Sequence, residues 1–425
     1  MPTPAIAADP SAPGRLRPIP RLALLLFCLL SIAVSSRQTI GYLSHSQVFA
    51  DFRIFMTGVA LMESGHGHEL YQFGAQQFVQ QALYPDTKVG GLLPFNHLAF
   101  ELLLYWPLAF LPYHVAILVW ALVNVAVVAL ISWLLKPYTL AITELTGIPV
   151  WLFLLAFYPV IYVLGEGQDS LIFLLLVVLS LRAMDSGYQF LAGTLLALGC
   201  FKLHLALLLG FFILVLGRKW KGVAGFAAGG AVASGISLLM VGPNLFSDYL
   251  SMLRKQEVMT PWGFLPWYMP NLRGFFRWTL GHLLDPGRIV PVVFMTSAIV
   301  AIVAGWLIVR RRIDGNCGLL YSVSILTTIL ISYHLHVQDL SMATVPMLLV
   351  IDWSIRNRIT QSKLLPVWVT ALAASIGVLY LYRIAAEPFW ILLFLTCYLA
   401  VPVFILWIVA FRALCESRVA VAQVA

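Results

Sequence analysis

The chain has 425 residues, 61% of them hydrophobic and only 10% charged, with a formal net charge of +8. With a mean hydropathy of +0.92 this excludes a water-soluble protein built on one core, because so much apolar surface needs lipid as its solvent. The excess of cations does not indicate nucleic acid, since they stand at the ends of apolar runs and not in a basic domain.

In chain order, residues 1–20 are rich in Pro and Ala without periodicity and read as a disordered cytoplasmic tail; a single membrane domain follows over 21–425. Arg15, Arg17 and Arg21 precede the first apolar run, 22–42. A cleaved signal peptide over 22–36 is one reading and an uncleaved first helix the preferred one; both deliver the next residues outside. Residues 43–93 then form a first outer loop. Within it Phe52, Phe55, Met56, Val59 and Ala60, and later Ala75, Phe78, Val79 and Ala82, recur at helical spacing, which predicts two short helices on the membrane surface. A polar turn over 63–71 separates them.

Further apolar runs follow at 98–111, 115–135, 148–164, 171–181, 190–201, 203–216, 223–241, 289–309, 319–331, 343–351, 365–381 and 389–409. Each must be helical, because any other backbone leaves unsatisfied polar groups in lipid. Basic clusters at Arg218-Lys219, Arg310 to Arg312, Arg356 to Lys363 and Arg412 to Arg418 mark the cytoplasmic side, so 242–288, 332–339 and 383–387 face outward with 43–93. The passage from residue 93 to Arg218 needs an odd number of crossings, and six runs lie there. One is wrong: either 190–216 is one long helix, or 137–167 hides an extra partial crossing.

Polar residues inside this apolar frame are candidates for chemistry. Asp51 stands at the start of a helix, where it can cap the backbone, act as a general base, or do both. Gly165 to Ser170 (GEGQDS) interrupts two apolar runs with Gln168 and Asp169, as either a tight turn or the wall of a wet cavity. Lys202, in the middle of an apolar run, costs roughly 2.5–3.5 kcal/mol on insertion scales and needs a partner, for which an anion in the cavity is the natural choice. Snorkelling from a helix end is the structural alternative for Lys202, and helix packing for His204. The outer segments 269–276 (MPNLRGFF) and 332–340 (SYHLHVQDL) bring Asn271, Arg273, His334, His336 and Asp339. The two histidines share one side only in an extended segment, and a phosphate or sugar contact is preferred to a metal pair. Five single cysteines without C-x-x-C spacing point to neither disulfides nor zinc. Phosphate-loop and dinucleotide motifs do not occur, which disfavours a nucleotide-consuming enzyme or pump.

Asp51-Phe52-Arg53, GQDS, the stretch from Ala192 to Lys202, MPNLRG and H-L-H-x-x-D together resemble glycosyltransferase family 87, in the right order from about Asp51 to Pro346. The resemblance implies an all-α polytopic GT-C-type fold with about eleven to thirteen membrane helices. It implies transfer of a mannose-like hexose from a polyprenyl-phosphate donor to a lipid or glycan hydroxyl at the outer face of the plasma membrane. It places the catalytic base at Asp51 and the Gly-Gln motif at Gly167 and Gln168. Donor phosphate and sugar would then meet Arg53, Gln168, Asp169, Lys202, His204, Asn271, Arg273, His334, His336 and Asp339, with no cofactor and no metal. Two departures stand out: Ser170 ends the Gly-Gln motif where Asn is common, and Pro94-Phe95-Asn96-His97 replaces an aromatic-Pro-Pro. A lipid-linked saccharide flippase, or an oligosaccharide ligase or polymerase, are the competing readings.

Overall fold

A computed structural model describes residues 16–44, 51–85, 92–258, 266, 269–311, 317–356, 400, 403–408 and 410, and every regular element among them is helical. Helix α1 (Pro18–Ser44) starts on a proline, whose fixed φ suits a first turn, so residues 18–20 belong to the helix and not to a tail. Its Ser31 hydroxyl donates to the Ala156 carbonyl at 2.6 Å.

Helices α2 (Phe52–Glu63) and α3 (Phe73–Leu83) occupy the two predicted surface segments. Only α3 keeps an outward apolar face, with Phe78 exposed. Helix α2 is buried on most sides, Arg53 included, because residues 99–110 cover it. There α4 (Leu102–Tyr105) sits between two 3-10 turns, Ala99–Glu101 and Trp106–Phe110, and Tyr105 stacks on Phe55 with ring centroids 4.2 Å apart.

This segment, expected to cross the bilayer, does not. Both ends return to the segment that carries α2 and α3: the Tyr71 hydroxyl donates to the His97 carbonyl at 2.9 Å, and Tyr113 packs on Phe52 and Tyr84 at 5.6 and 5.0 Å between ring centroids.

Helix α5 (Tyr113–Leu135) makes the crossing, and α6 (Leu140–Thr146) closes its far end. Helices α7 (Val150–Ala156) and α8 (Tyr158–Glu166) are one crossing kinked at Phe157, whose extended backbone precedes Pro159. Helix α9 (Ser170–Asp185) goes back. Next come α10 (Gln189–Leu198), α11 (Leu203–Gly210), the π turn Phe211–Leu216 and α12 (Trp220–Val241).

The apolar stretch Gln189–Leu216 is 28 residues long, about 42 Å as a straight helix, which would carry Trp220 far from Gln189. Instead, a Cβ on Gly222 would lie 3.2 Å from the Gln189 carbonyl oxygen, one on Gly225 1.9 Å from that of Phe190, and one on Gly210 3.0 Å from the Phe226 ring. The chain therefore rises along α10, breaks at Gly199–Lys202, where Lys202 leaves helical backbone at φ −97 and ψ 67, and returns along α11. Small residues permit the α10–α12 approach. The crossings between residue 93 and Arg218 are then α5, α7 with α8, α9, α10 and α11, an odd number. Neither expected remedy applies; the wrong span was 98–111.

Helices α13 (Leu245–Val258), α14 (Leu272–Leu280), α15 (Pro286–Arg311), α16 (Cys317–Ile331) and α17 (Thr344–Arg356) follow, and residues 403–408 are helical as well. The expected span 365–381, most of 389–409 and the outward segment 383–387 lie outside the described residues. Among the described residues five apolar helical stretches are long enough to cross a membrane, the folded-back 189–216 being one of them, and the chain is an all-α polytopic membrane protein. One end of the bundle gathers Arg21 on the Gly147 carbonyl, Tyr138 on Asp185 and Arg356 on the Pro137 carbonyl. The opposite end gathers Asp51, the turn at Gly167 and the tip at Lys202.

Candidate functional site

The site starts from a turn that only glycine permits. Gly167 ends α8 with φ +69, and a Cβ there would lie 2.7 Å from Phe52 Cβ. Left-handed backbone and close approach together demand glycine, and they bring Gln168 against the first turn of α2. Gln168 Nε2 donates a short hydrogen bond to Asp51 Oδ2. Asp51 makes no side-chain cap: its own backbone is helical, at φ −60 and ψ −15, so the capping expectation fails and the carboxylate is left to Gln168. Burial raises its pKa above the ordinary 3.8, against the opposing pull of the Gln168 hydrogen bond and of the Arg53 and Lys202 charges. The Arg53 guanidinium, 1% exposed, interacts electrostatically with Asp51, Glu166, Tyr84 and Tyr113.

Beside Asp51 lies a buried knot of charge. Lys202 Nζ stands 2.8 Å from both Asp169 Oδ1 and Asp339 Oδ1. The expected partner of Lys202 was an anion in the cavity; its partners are two carboxylates of the protein. Ser170 Oγ donates to Asp339 Oδ1 at 3.0 Å, and the His336 backbone N–H to Asp339 Oδ2 at 3.1 Å. His97 Nδ1 faces Glu101 Oε2 at 2.6 Å and Asp169 Oδ2 at 3.2 Å.

A third layer closes the site. His204 packs edge-on against His334 at 5.6 Å between ring centroids, and His334 against His336 at 4.5 Å; extended backbone at His336 places the two rings of the i, i+2 pair together. Burial pushes His336 down to about 4 and His334 well below 6.5, so both are neutral, each with one N–H to donate. Arg273 binds Glu257 at 2.5 Å and the Tyr333 carbonyl at 3.0 Å, and its guanidinium lies 3.8 Å from the Tyr333 ring centroid. Asn271 caps α14 by accepting from the Gly274 N–H at 3.1 Å and donates to the Ser332 carbonyl at 2.7 Å, which ties this loop to the histidine segment.

All eleven expected residues thus lie in one connected region. His97, Glu101, Glu166, Ser170, Glu257 and Tyr333 were not anticipated as members. The i, i+4 pair His97 and Glu101 was the available signal, because a carboxylate in a supposed crossing calls for a partner.

With this geometry in place, comparison with known proteins is decisive at the level of family. The model of glycosyltransferase family 87 matches residues 99–332, more than half of the chain. The chain belongs to glycosyltransferase family 87. No curated protein and no solved structure matches it. Within this family 87 glycosyltransferase the matched stretch holds Glu101, Gln168, Asp169, Lys202 and Arg273, while Asp51 precedes it and His334, His336 and Asp339 follow it. The two departures from the family pattern, His97 and Ser170, both join the knot at Lys202.

Proposed function

We propose that this membrane glycosyltransferase moves a mannose-like hexose from a polyprenyl-phosphate donor to a lipid or glycan hydroxyl, at the outer face of the plasma membrane and with inversion. The observation that carries the reading is the Asp51 carboxylate, half-buried, set by Gln168 and left unused by the helix it begins. A carboxylate of raised pKa is a better proton acceptor than an ordinary one. Asp51 takes the proton of the acceptor hydroxyl as its oxygen attacks the anomeric carbon, and the sugar–phosphate bond breaks on the opposite face with its electron pair leaving on the phosphate. Arg273 with the N–H donors of His334 and His336 meets that growing charge, a stabilisation stronger in the transition state than in the ground state. Lys202, already matched by two carboxylates, acts in this scheme as the strut that holds Asp169 and Asp339. The outward orientation rests on the basic end of the bundle, which carries Arg21, Arg218 and Arg310.

The test is transfer from polyprenyl-phosphate monosaccharides in proteoliposomes, with the anomeric configuration of the product read by NMR. Asp51→Asn is expected to lower kcat about 10²–10⁴-fold with the fold intact. Transport of lipid-linked saccharide that survives Asp51→Asn would make the protein a flippase instead, and transfer confined to whole lipid-linked oligosaccharides would make it a ligase.

A further inference from the structure

The knot at Lys202 contains a feature that the transfer step does not use. His97, Glu101 and Asp169 converge so that one ligand atom from each lies within 4.8 Å of the others. Their first observation is geometric: a single ring nitrogen, His97 Nδ1, faces two carboxylate oxygens at 2.6 and 3.2 Å. That nitrogen carries at most one proton, which can point at only one of them. A second, independent observation is that Glu101 Oε1, on a fully buried side chain, has no hydrogen-bond partner among the described residues.

We infer that His97, Glu101 and Asp169 form a binding site for one divalent transition-metal cation of the zinc or manganese class. One imidazole and two carboxylates are a donor set of that class. Bonds of about 2.0–2.2 Å set neighbouring ligand atoms roughly 3.0–3.4 Å apart. The His97–Asp169 pair already has that separation, and Glu101 needs to withdraw by less than about 1 Å. Asp169 ligates through Oδ2 while Oδ1 stays on Lys202, an outer contact of the kind that orients a ligand. The ion ties the turn Ala99–Glu101 to the start of α9, one residue beyond Gln168, and so fixes the partner of Asp51. It is a positioning element, and no bond of the transferred sugar runs through it; the metal independence expected from the family resemblance then holds for the transfer step but not for the scaffold.

The full chain, purified in detergent and stripped with chelator, is titrated with Zn²⁺ and Co²⁺ under equilibrium dialysis, with elemental analysis, visible absorption and melting temperature as readouts. The expected result is one equivalent bound, cobalt bands of nitrogen and oxygen ligation, and a melting temperature that rises with free metal. Glu101→Gln and, separately, His97→Gln are expected to weaken binding at least about 10- to 100-fold, and Glu257→Gln to leave it unchanged. Asp51→Asn is expected to bind metal like the wild type, so loss of transfer and loss of the ion are separable. A wild-type chain that takes up neither ion, or whose uptake is the same in Glu101→Gln and His97→Gln and therefore sits on exposed histidines such as His66 and His68, overturns the assignment.

Discussion

Asp51 owes its availability to two local choices. Its backbone is helical, so its carboxylate does not turn back on the N–H groups of α2, and Gly167 brings Gln168 within reach of it. Burial raises its pKa and the Gln168 N–H, which favours the charged form, lowers it. A base must be ionised to accept a proton, so turnover falls as pH drops through the raised pKa, at a pH above the ordinary carboxylate range. Removing the Gln168 donor leaves burial less opposed. The acid limb of the kcat profile in Gln168→Leu is therefore expected to move to higher pH by about one to two units, the worth of a charge-assisted hydrogen bond of about 1.5–3 kcal/mol. A limb that stays in place would remove Gln168 from the role given to it here. Asp51, Gln168, Lys202 and Arg273 were legible in the sequence because polar groups among apolar runs need a reason. His97 and Glu101 were not recognised, because the run they introduce was taken as a crossing.

The helix hairpin α10–α11 explains how a lysine comes to lie in an apolar stretch. Helix formation stops at Gly199–Lys202, and the tip delivers Lys202 to Asp169 at the start of α9 and to Asp339 in the turn before α17. The hairpin is held by close backbone contact with α12, where a Cβ on Gly193 would lie 1.8 Å from the Gly222 carbonyl oxygen. Gly193→Val is expected to force the helices apart at a cost of about 1–3 kcal/mol or more. Its checks are a lowered melting temperature and a lost activity that Gly230→Val, at an open position, does not show. Apolar run length located both halves of the hairpin, but apolar composition is the same for a straight helix and a folded one.

Across the bundle, the two ends differ in kind. The basic end holds ion pairs and hydrogen bonds among helix termini, such as Tyr138 with Asp185 and Arg356 with the Pro137 carbonyl. The other end holds the carboxylates, the imidazoles and Arg273. If the chain sits as proposed, a cysteine introduced at His66 in a cysteine-free background reacts with an impermeant maleimide added outside intact cells, and one at Tyr188 reacts only after permeabilisation. Both residues are exposed. The reverse pattern would place Asp51 in the cytosol and end the proposed use of a lipid-borne donor at the exterior.

Composition and apolar run length were enough to determine a polytopic helical membrane protein, because lipid admits few backbone structures and each crossing needs a minimum length. Charge at the run ends added the orientation now proposed. Tertiary structure alone decided that 98–111 packs on α2 instead of crossing, that 189–216 folds back on itself, and that Lys202 is matched by carboxylates of its own chain. These outcomes depend on contacts between residues far apart in sequence, such as Tyr113 with Phe52 or Lys202 with Asp339. Hydropathy records how much a residue prefers lipid to water, and carries no information about which distant residue it meets.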